Sequence, residues 1–92
     1  MSNAQNAAAP RTLVLYHFRS CPFCIMVHRK IEQLGLDIEQ RNIREEPAYR
    51  QELIQGGGKQ QVPCLHITES DGQEHWLYES SDINRYLEQH YG

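Results

Sequence analysis

Two cysteines separated by two residues are the side chains of this chain best suited to chemistry. They lie in the sequence Cys21-Pro22-Phe23-Cys24, directly after an apolar run from Leu13 to Phe18. The run predicts a buried strand, and proline favours the first position of a helix, so the pair falls at a strand-to-helix junction. Two thiols one helical turn apart can close a disulfide and reopen it, and this spacing therefore indicates thiol–disulfide chemistry.

The predicted position of Cys21 favours the thiolate, the form in which a cysteine attacks a disulfide. As cap residue, Cys21 lies beside unpaired backbone N–H groups and the positive end of the helix dipole, and Arg19 adds a positive charge nearby. A low pKa does little for attack, because nucleophilicity falls with pKa, but it makes Cys21 a good leaving group. Cys24 is predicted to be less exposed and less ionised, which suits a resolving thiol.

The cysteine pair has two other possible interpretations besides redox chemistry. A zinc site would need two further ligands at metal-binding spacing, and only Cys64 and five scattered histidines remain. A chance pair without chemistry is the other alternative. No further motif supports either of these interpretations, and no bound metal is expected.

Length and composition indicate one small domain. The chain has 92 residues, of which 39% are hydrophobic, enough for one modest core. The net charge of −3 argues against a nucleic-acid partner, which usually requires a basic surface. No apolar stretch reaches the roughly 20 residues that a membrane helix needs. Three cysteines, an odd number, and the lack of a signal-peptide pattern favour a cytoplasmic protein.

The pattern of residues predicts a tail and then seven structural elements. Residues 1–11 are predicted to be a disordered tail, and Ser2-Asn3-Ala4 is typical of residues left by an expression vector. Strands are predicted at 12–18, 38–43, 62–67 and 75–78. Helices are predicted to begin at Pro22, at Pro47 and at a cap formed by Ser80 or Ser81.

The order of these elements predicts a fold class. The opening strand–helix–strand requires a crossover, so its two strands are expected to be parallel, and Ser70-Asp71-Gly72-Gln73 predicts an antiparallel hairpin. The sequence therefore predicts an α/β domain over residues 12–92, with a four-stranded mixed sheet flanked by three helices, a thioredoxin-like fold. In its second helix, Tyr49, Leu53 and Ile54 are predicted to face the core.

Two further segments could bind a ligand, and each has an ordinary alternative. Val62-Pro63 stands where a strand begins, although proline cannot donate to a sheet. A cis bond there would free the Val62 backbone to pair with a bound peptide, whereas a proline that merely ends a loop explains the sequence equally well. The segment Glu79-Ser80-Ser81-Asp82 opens a helix whose N-terminus could bind a carboxylate, or these residues form an ordinary helix cap.

Taken together, these motifs resemble those of the glutaredoxin family. The matching pieces are the strand before Cys21-Pro22-Phe23-Cys24, the segment Gly57 to Pro63, and Ser80-Ser81-Asp82 before a short apolar helix. The resemblance covers residues 12–91. It implies a glutathione-dependent disulfide oxidoreductase that reduces glutathione mixed disulfides and protein disulfides, with glutathione as co-substrate.

The resemblance also implies a role for individual residues. Cys21 matches the nucleophile that forms a mixed disulfide with glutathione, and Cys24 matches the thiol that resolves protein disulfides. Val62-Pro63 matches a cis-proline unit that pairs with the cysteinyl amides of glutathione. Ser81 and Asp82 match the residues that hold its γ-glutamyl end, and a residue between Lys59 and Gln61 meets its glycyl carboxylate. The implied glutathione-binding set is Arg19, Phe23, Lys59, Gln61, Val62, Pro63, Glu79, Ser80, Ser81 and Asp82.

The sequence departs from the family pattern in two segments. Many glutaredoxins have a lysine three residues before the first cysteine, where this chain has Phe18. The usual Gly-Gly before the last helix is Tyr78-Glu79, and Glu79-Ser80 is similar to the N-terminal domains of glutathione transferases. Because 92 residues do not include the helical domain of a transferase, transferase chemistry is not expected.

Two alternative functions remain open beside the redox enzyme. One is a dimer that holds an iron–sulfur cluster through Cys21 and glutathione, but relatives specialised for this carry Cys-Gly-Phe-Ser. The other is a general reductase like thioredoxin, but no tryptophan precedes Cys21 and the middle pair is Pro-Phe. The expected partners are glutathione and glutathionylated or disulfide-bonded proteins, with the protein acting as a monomer. Cys64 is expected to be a small buried residue.

Overall fold

The computed structural model describes residues 11–92 of the chain. The tail predicted over residues 1–11 therefore lies outside the described part, except for Arg11. The Nε of Arg11 lies 2.6 Å from Oε1 of Glu69 in an ion pair.

Seven elements follow one another in the predicted order. The strands are β1 (Thr12–His17), β2 (Glu39–Asn42), β3 (Cys64–Thr68) and β4 (Glu74–Leu77). The helices are α1 (Pro22–Leu34), α2 (Pro47–Gly57) and α3 (Ser80–Tyr91). None of the helices within residues 11–92 is long and apolar enough to cross a membrane.

Proline and glycine set the ends of α1 and α2. Each helix has proline at its first position, where the missing N–H would have no partner within the helix. Each ends at a glycine in the left-handed conformation, Gly35 with φ 67° and Gly58 with φ 88°. The N–H of Gly58 donates to the carbonyl of Ile54, which closes the last turn.

The four strands form one mixed sheet in the order β2-β1-β3-β4. Strands β1 and β2 are parallel, while β3 is antiparallel to β1 and β4 is antiparallel to β3. This topology confirms the predicted thioredoxin-like α/β fold with three helices and a four-stranded mixed sheet. It also brings the carboxyl ends of β1, β2 and β4 and the amino end of β3 to one edge of the sheet.

Alternate residues of the central strands supply two cores, one on each face of the sheet. The larger core lies under α1 and α3 and contains Leu15, Val27, Ile31, Ile38, Leu65, Ile67, Ile83 and Leu87. The smaller core lies on the α2 side and contains Val14, Tyr16, Ile43, Leu53 and Cys64. With both faces covered, the sheet is a rigid platform for the loops at its edges.

Several details of the predicted elements were wrong. β1 ends at His17 instead of Phe18, and β3 begins at Cys64 instead of Val62, after a cis peptide bond between Val62 and Pro63. β2 spans Glu39–Asn42 instead of 38–43, and β4 spans Glu74–Leu77 instead of 75–78. Neither serine caps α3: Glu79 is the cap residue, and it makes no side-chain capping hydrogen bond. Ile54 is 39% exposed and does not face the core.

Candidate functional site

Cys21 occupies the cap position at the N-terminus of α1. Its backbone is extended, and its Sγ accepts a hydrogen bond from the N–H of Cys24 at 3.4 Å. Its thiol also points at the carbonyl oxygen of Val62, with the sulfur 3.9 Å from that oxygen. The side chain is only 5% exposed. Cys21 therefore lies between the first turn of α1 and the loop that precedes β3, with an N–H donor aimed at its sulfur.

Cys24 lies one turn deeper in the same helix and is fully buried. Burial, together with the hydrogen bond with Cys21, raises the pKa of its thiol to about 12. Both cysteines are free thiols. Cys24 is thus the less exposed thiol of the pair, as predicted, and it holds its proton at neutral pH.

The peptide bond between Val62 and Pro63 is cis, which the sequence left open. Pro63 is fully buried, and the bond turns the chain so that the Val62 carbonyl faces Cys21. The backbone of Val62 lies outside β3, so it is not engaged in the sheet. The structure therefore has the cis bond and the free Val62 backbone that the peptide-binding interpretation requires.

A small pocket of about 110 Å³ lies beside the two cysteines, and we call it the cis-proline pocket. Six of its seven residues are among the predicted glutathione-binding residues, and one of these, Val62, faces the Cys21 thiol. Phe23 is 59% exposed and forms its outer wall. The pocket is lined by Phe23, Gln61, Val62, Pro63, Tyr78, Glu79 and Ser80.

Tyr78 is thus the one residue lining this pocket that is not in the predicted glutathione-binding set. Ser80 lies in the first turn of α3, so the free N–H groups at that helix terminus open beside the pocket. The predicted residues Ser81 and Asp82 follow in the same turn but do not line the pocket, and Asp82 lies 3.5 Å from Arg85.

The two predicted basic residues also lie outside the cis-proline pocket. Lys59 is exposed, and its Nζ lies 5.5 Å from the centre of the Tyr78 ring. Arg19 lines a separate cavity of about 520 Å³, together with His17 and His28. Six of the ten predicted glutathione-binding residues therefore line the cis-proline pocket, and Arg19, Lys59, Ser81 and Asp82 lie outside it.

Two arginines that the sequence analysis missed, Arg44 and Arg50, lie beside this pocket. They line a second pocket of about 750 Å³, which we call the arginine pocket, with Phe18, Ile43, Gln60, Gln61 and Val62. The guanidinium of Arg44 lies over the Phe18 ring, 4.0 Å from its centre. Because Gln61 and Val62 line both pockets, the arginine pocket and the cis-proline pocket are adjacent.

Topology could have revealed Arg44. It follows β2 closely, β2 is parallel to β1, and Cys21 follows β1, so both residues fall at the same edge of the sheet. No comparable signal exists for Tyr78, which the sequence shows only as a departure from the usual Gly-Gly before the last helix.

Cys64 is fully buried at the start of β3. Burial raises the pKa of its thiol to about 12, although a hydrogen bond with Tyr78 lowers it in part. Cys64 is therefore a small buried residue, as expected. Within residues 11–92, no three His, Cys, Asp or Glu side chains are grouped to hold a metal ion.

Solved structures similar to this chain share its fold. The thioredoxin-like protein BC3987 is 18% identical, and the match covers 83% of this chain and 100% of that protein, with a TM-score of 0.65. The glutaredoxin from Brucella melitensis is 17% identical over 85% of this chain and 78% of that protein, with a TM-score of 0.55. At these identities the likeness shows the fold alone.

A maleylacetoacetate isomerase from Anaeromyxobacter dehalogenans 2CP-1 is more similar in sequence. It is 31% identical over 88% of this chain, with a TM-score of 0.67, but this chain spans only 36% of the isomerase. The structure of this isomerase with glutathione in its active site matches with 28% identity and a TM-score of 0.60.

Family membership follows from the sequence match. No curated protein matches the chain. The glutaredoxin family model, however, matches residues 13–72, which include both cysteines of the pair and the cis-proline. The match covers more than half of the chain, and the chain belongs to the glutaredoxin family.

Proposed function

We propose that this protein is a glutathione-dependent thiol–disulfide oxidoreductase that reduces glutathione mixed disulfides and protein disulfides. The observation that carries the proposal is the position of Cys21. Its sulfur lies at the N-terminus of α1, 3.4 Å from the N–H of Cys24 and 3.9 Å from the Val62 carbonyl oxygen. A thiol in this position has donors for the anion on one side and a peptide-binding backbone on the other.

The two pockets beside Cys21 support glutathione as the co-substrate. Glutathione carries an α-amino acid group at one end and a carboxylate at the other. The N-terminus of α3 next to the cis-proline pocket suits the α-amino acid group, because its free N–H groups can donate hydrogen bonds to a carboxylate and Glu79 can pair with an amino group. Arg44 and Arg50 in the arginine pocket suit the glycyl carboxylate. The isomerase similar to this chain also binds glutathione in its active site.

Reduction of a glutathionylated protein takes two exchanges at Cys21. The thiolate of Cys21 attacks the glutathione sulfur of the mixed disulfide, forms Cys21–S–SG, and releases the substrate as a thiolate. The thiolate of a second glutathione then attacks the sulfur of the bound glutathione. Glutathione disulfide leaves, and Cys21 returns as the thiolate.

Reduction of a protein disulfide uses Cys24 as well. Cys21 attacks the substrate disulfide and becomes linked to one substrate sulfur, and Cys24 then closes the Cys21–Cys24 disulfide and releases the reduced substrate. Two molecules of glutathione reopen that disulfide and leave as glutathione disulfide. Since the pKa of Cys24 is raised to about 12, its thiol must lose a proton before it attacks, so this route is expected to be the slower one.

The first test compares Cys21→Ser and Cys24→Ser in the glutathione-dependent reduction of a glutathionylated peptide. We expect Cys21→Ser to lose all activity above background, because the attacking sulfur is gone. We expect Cys24→Ser to retain at least about half of the wild-type rate, because the second thiol takes no part. In the same assay with a disulfide-bonded protein, Cys24→Ser should be strongly impaired.

Alternative outcomes would favour the other functions. If wild type and Cys24→Ser are both inactive while Cys21 still reacts with a thiol reagent, the redox proposal fails and the iron–sulfur dimer gains support. Anaerobic purification and sedimentation would then test for a coloured dimer. If thioredoxin reductase reduces the protein and glutathione does not, the general reductase is favoured. The need for reduced glutathione agrees with the cytoplasmic location that the cysteine count favours.

A further inference from the structure

The hydroxyl of Tyr78 is bound to the backbone of a single loop residue. It accepts a hydrogen bond from the N–H of Lys59 at 3.3 Å and donates one to the carbonyl of Lys59 at 3.2 Å. The ammonium of Lys59 lies 5.5 Å from the centre of the same ring. The Tyr78 side chain therefore forms hydrogen bonds with both the N–H and the carbonyl of Lys59.

The loop that contains Lys59 connects α2 to the cis-proline. Residues 59–62 belong to no helix or strand, and within the described chain their backbone makes no hydrogen bond to other backbone groups. Gln61 and Val62, at the end of this loop, line the cis-proline pocket, and the Val62 carbonyl faces Cys21. The Tyr78 hydroxyl is thus the main anchor of a loop that forms one wall of the site.

The surroundings of Tyr78 leave its hydroxyl little freedom. A Cβ atom on Gly57 would lie 1.9 Å from the hydroxyl oxygen, so the backbone of α2 is already in contact with it. Tyr78 itself lines the cis-proline pocket, so the ring spans the distance between the pocket and the loop anchor.

We propose that Tyr78 is a positioning residue for the glutathione site: its hydroxyl holds the loop of residues 59–62 so that Gln61 and Val62 keep the geometry that a bound glutathione needs. This inference rests on the proposed function and deepens it. Tyr78 acts through the loop, so its hydroxyl affects the affinity for glutathione more than the rate of exchange at Cys21.

The test compares Tyr78→Phe with Tyr86→Phe. Tyr86→Phe is a matched control, because within residues 11–92 the buried hydroxyl of Tyr86 has no hydrogen-bond partner and Tyr86 does not line the pocket. Affinity for S-methylglutathione, which cannot exchange thiols, is measured by calorimetry. Amide exchange at Lys59 reports on the loop directly, and KM and kcat are measured with a glutathionylated peptide.

We expect Tyr78→Phe to weaken binding of S-methylglutathione about five- to tenfold, the effect of losing one to two net hydrogen bonds. KM should rise by a similar factor, kcat should stay within about twofold, and the Lys59 amide should exchange faster. Tyr86→Phe should match wild type in all three measurements. A Tyr78→Phe protein with wild-type affinity, or one that loses kcat instead, would overturn the proposal.

Failure of the proposal and failure of the proposed function give different results. If the wild-type protein binds S-methylglutathione and Tyr78→Phe binds equally well, the role of Tyr78 is wrong and the function stands. If the wild-type protein neither binds it nor turns over, the function fails, and the role of Tyr78 fails with it even if Lys59 exchanges faster in the variant.

Discussion

The three cysteines of the chain have the same side chain but different surroundings. Cys24 and Cys64 are fully buried, and burial raises the pKa of each thiol to about 12. Cys21 is almost as buried, yet its sulfur has a backbone N–H at 3.4 Å and faces a carbonyl across the site. Cys21, the proposed nucleophile, therefore differs from Cys24 and Cys64 in its backbone contacts and not in exposure alone.

The buried thiol of Cys64 makes the folded protein less stable as the pH rises above about 8. In the unfolded chain a cysteine loses its proton near pH 8.5, whereas the folded protein keeps the Cys64 proton up to a pKa of about 12. Between these values the native state binds more protons, so stability falls as pH rises. Below about pH 8 both states are protonated and the thiol adds no pH dependence.

Replacing Cys64 by alanine should reduce the loss of stability at high pH. We expect the stability advantage of wild type over Cys64→Ala to shrink by about 2 kcal/mol between pH 7.5 and pH 10, because only wild type carries this buried proton. The measurement is urea unfolding of both proteins, with a reductant present, at the two pH values. Parallel pH dependence of the two free energies of unfolding would show that Cys64 does not titrate abnormally.

The second helix packs against the last strand through two glycines. A Cβ atom on Gly56 would lie 2.2 Å from a ring carbon of Trp76, and one on Gly57 would lie 1.9 Å from the Tyr78 hydroxyl. Gly56 and Gly57 follow Leu53 by three and four residues, so the three residues lie on the same side of α2. The close approach of α2 to β4 therefore depends on residues without side chains.

Gly56→Ala tests this close approach, because two effects oppose each other. Alanine in a helix normally stabilises by about 0.5–1 kcal/mol relative to glycine. A steric clash in packed surroundings destabilises by about 1–3 kcal/mol, and Trp76 has little freedom to move since it stacks on His66 at 3.8 Å. We expect a net loss of about 1–2 kcal/mol in urea unfolding.

Gln55→Ala is the control for helix propensity, since Gln55 is an exposed neighbour in the same helix. Its stability should stay within about 0.5 kcal/mol of wild type. If Gly56→Ala is instead more stable than wild type, Trp76 moves aside easily and the glycine is not required for packing.

The elements show what a sequence pattern could and could not predict. Proline at the start of α1 and α2 and glycine at their ends act locally, and these boundaries were predicted. The exposure of Ile54 was not predicted. The side of α2 that faces the sheet is set by the close approach of its glycines to Trp76 and Tyr78, which are far away in sequence. The cis bond at Pro63 also stayed open, since its geometry depends on packing against residues far away in sequence.

At the scale of the whole molecule, sheet topology assembles the site. The segments that follow β1, β2 and β4 and the segment that precedes β3 all lie at one edge of the sheet. They supply Cys21, Arg44, Tyr78 and Val62, respectively. The order of elements could be predicted, and with it this edge, but the contacts between Tyr78 and Lys59 join loops that share no sequence pattern.

The reduction potential of the Cys21–Cys24 pair is the property that would separate a glutaredoxin from a general reductase. Glutaredoxins lie at about −200 to −230 mV and thioredoxin at about −270 mV, and for this two-electron couple about 30 mV changes the ratio of reduced to oxidised protein tenfold. We expect a value in the glutaredoxin range. The measurement equilibrates the protein with glutathione and glutathione disulfide at a potential of about −240 mV, followed by acid quenching and thiol alkylation.

At that potential the two possibilities give opposite populations. For a protein with a potential of about −215 mV, the ratio of reduced to oxidised protein would be about 7 to 1. For one at about −270 mV, the ratio of oxidised to reduced protein would be about 10 to 1. Cys24→Ser, which cannot form the intramolecular disulfide, shows how much of the alkylation pattern comes from Cys21 bound to glutathione. A predominantly oxidised wild type would mean that glutathione cannot keep the pair reduced, and the proposed catalytic cycle would then need a stronger reductant than glutathione.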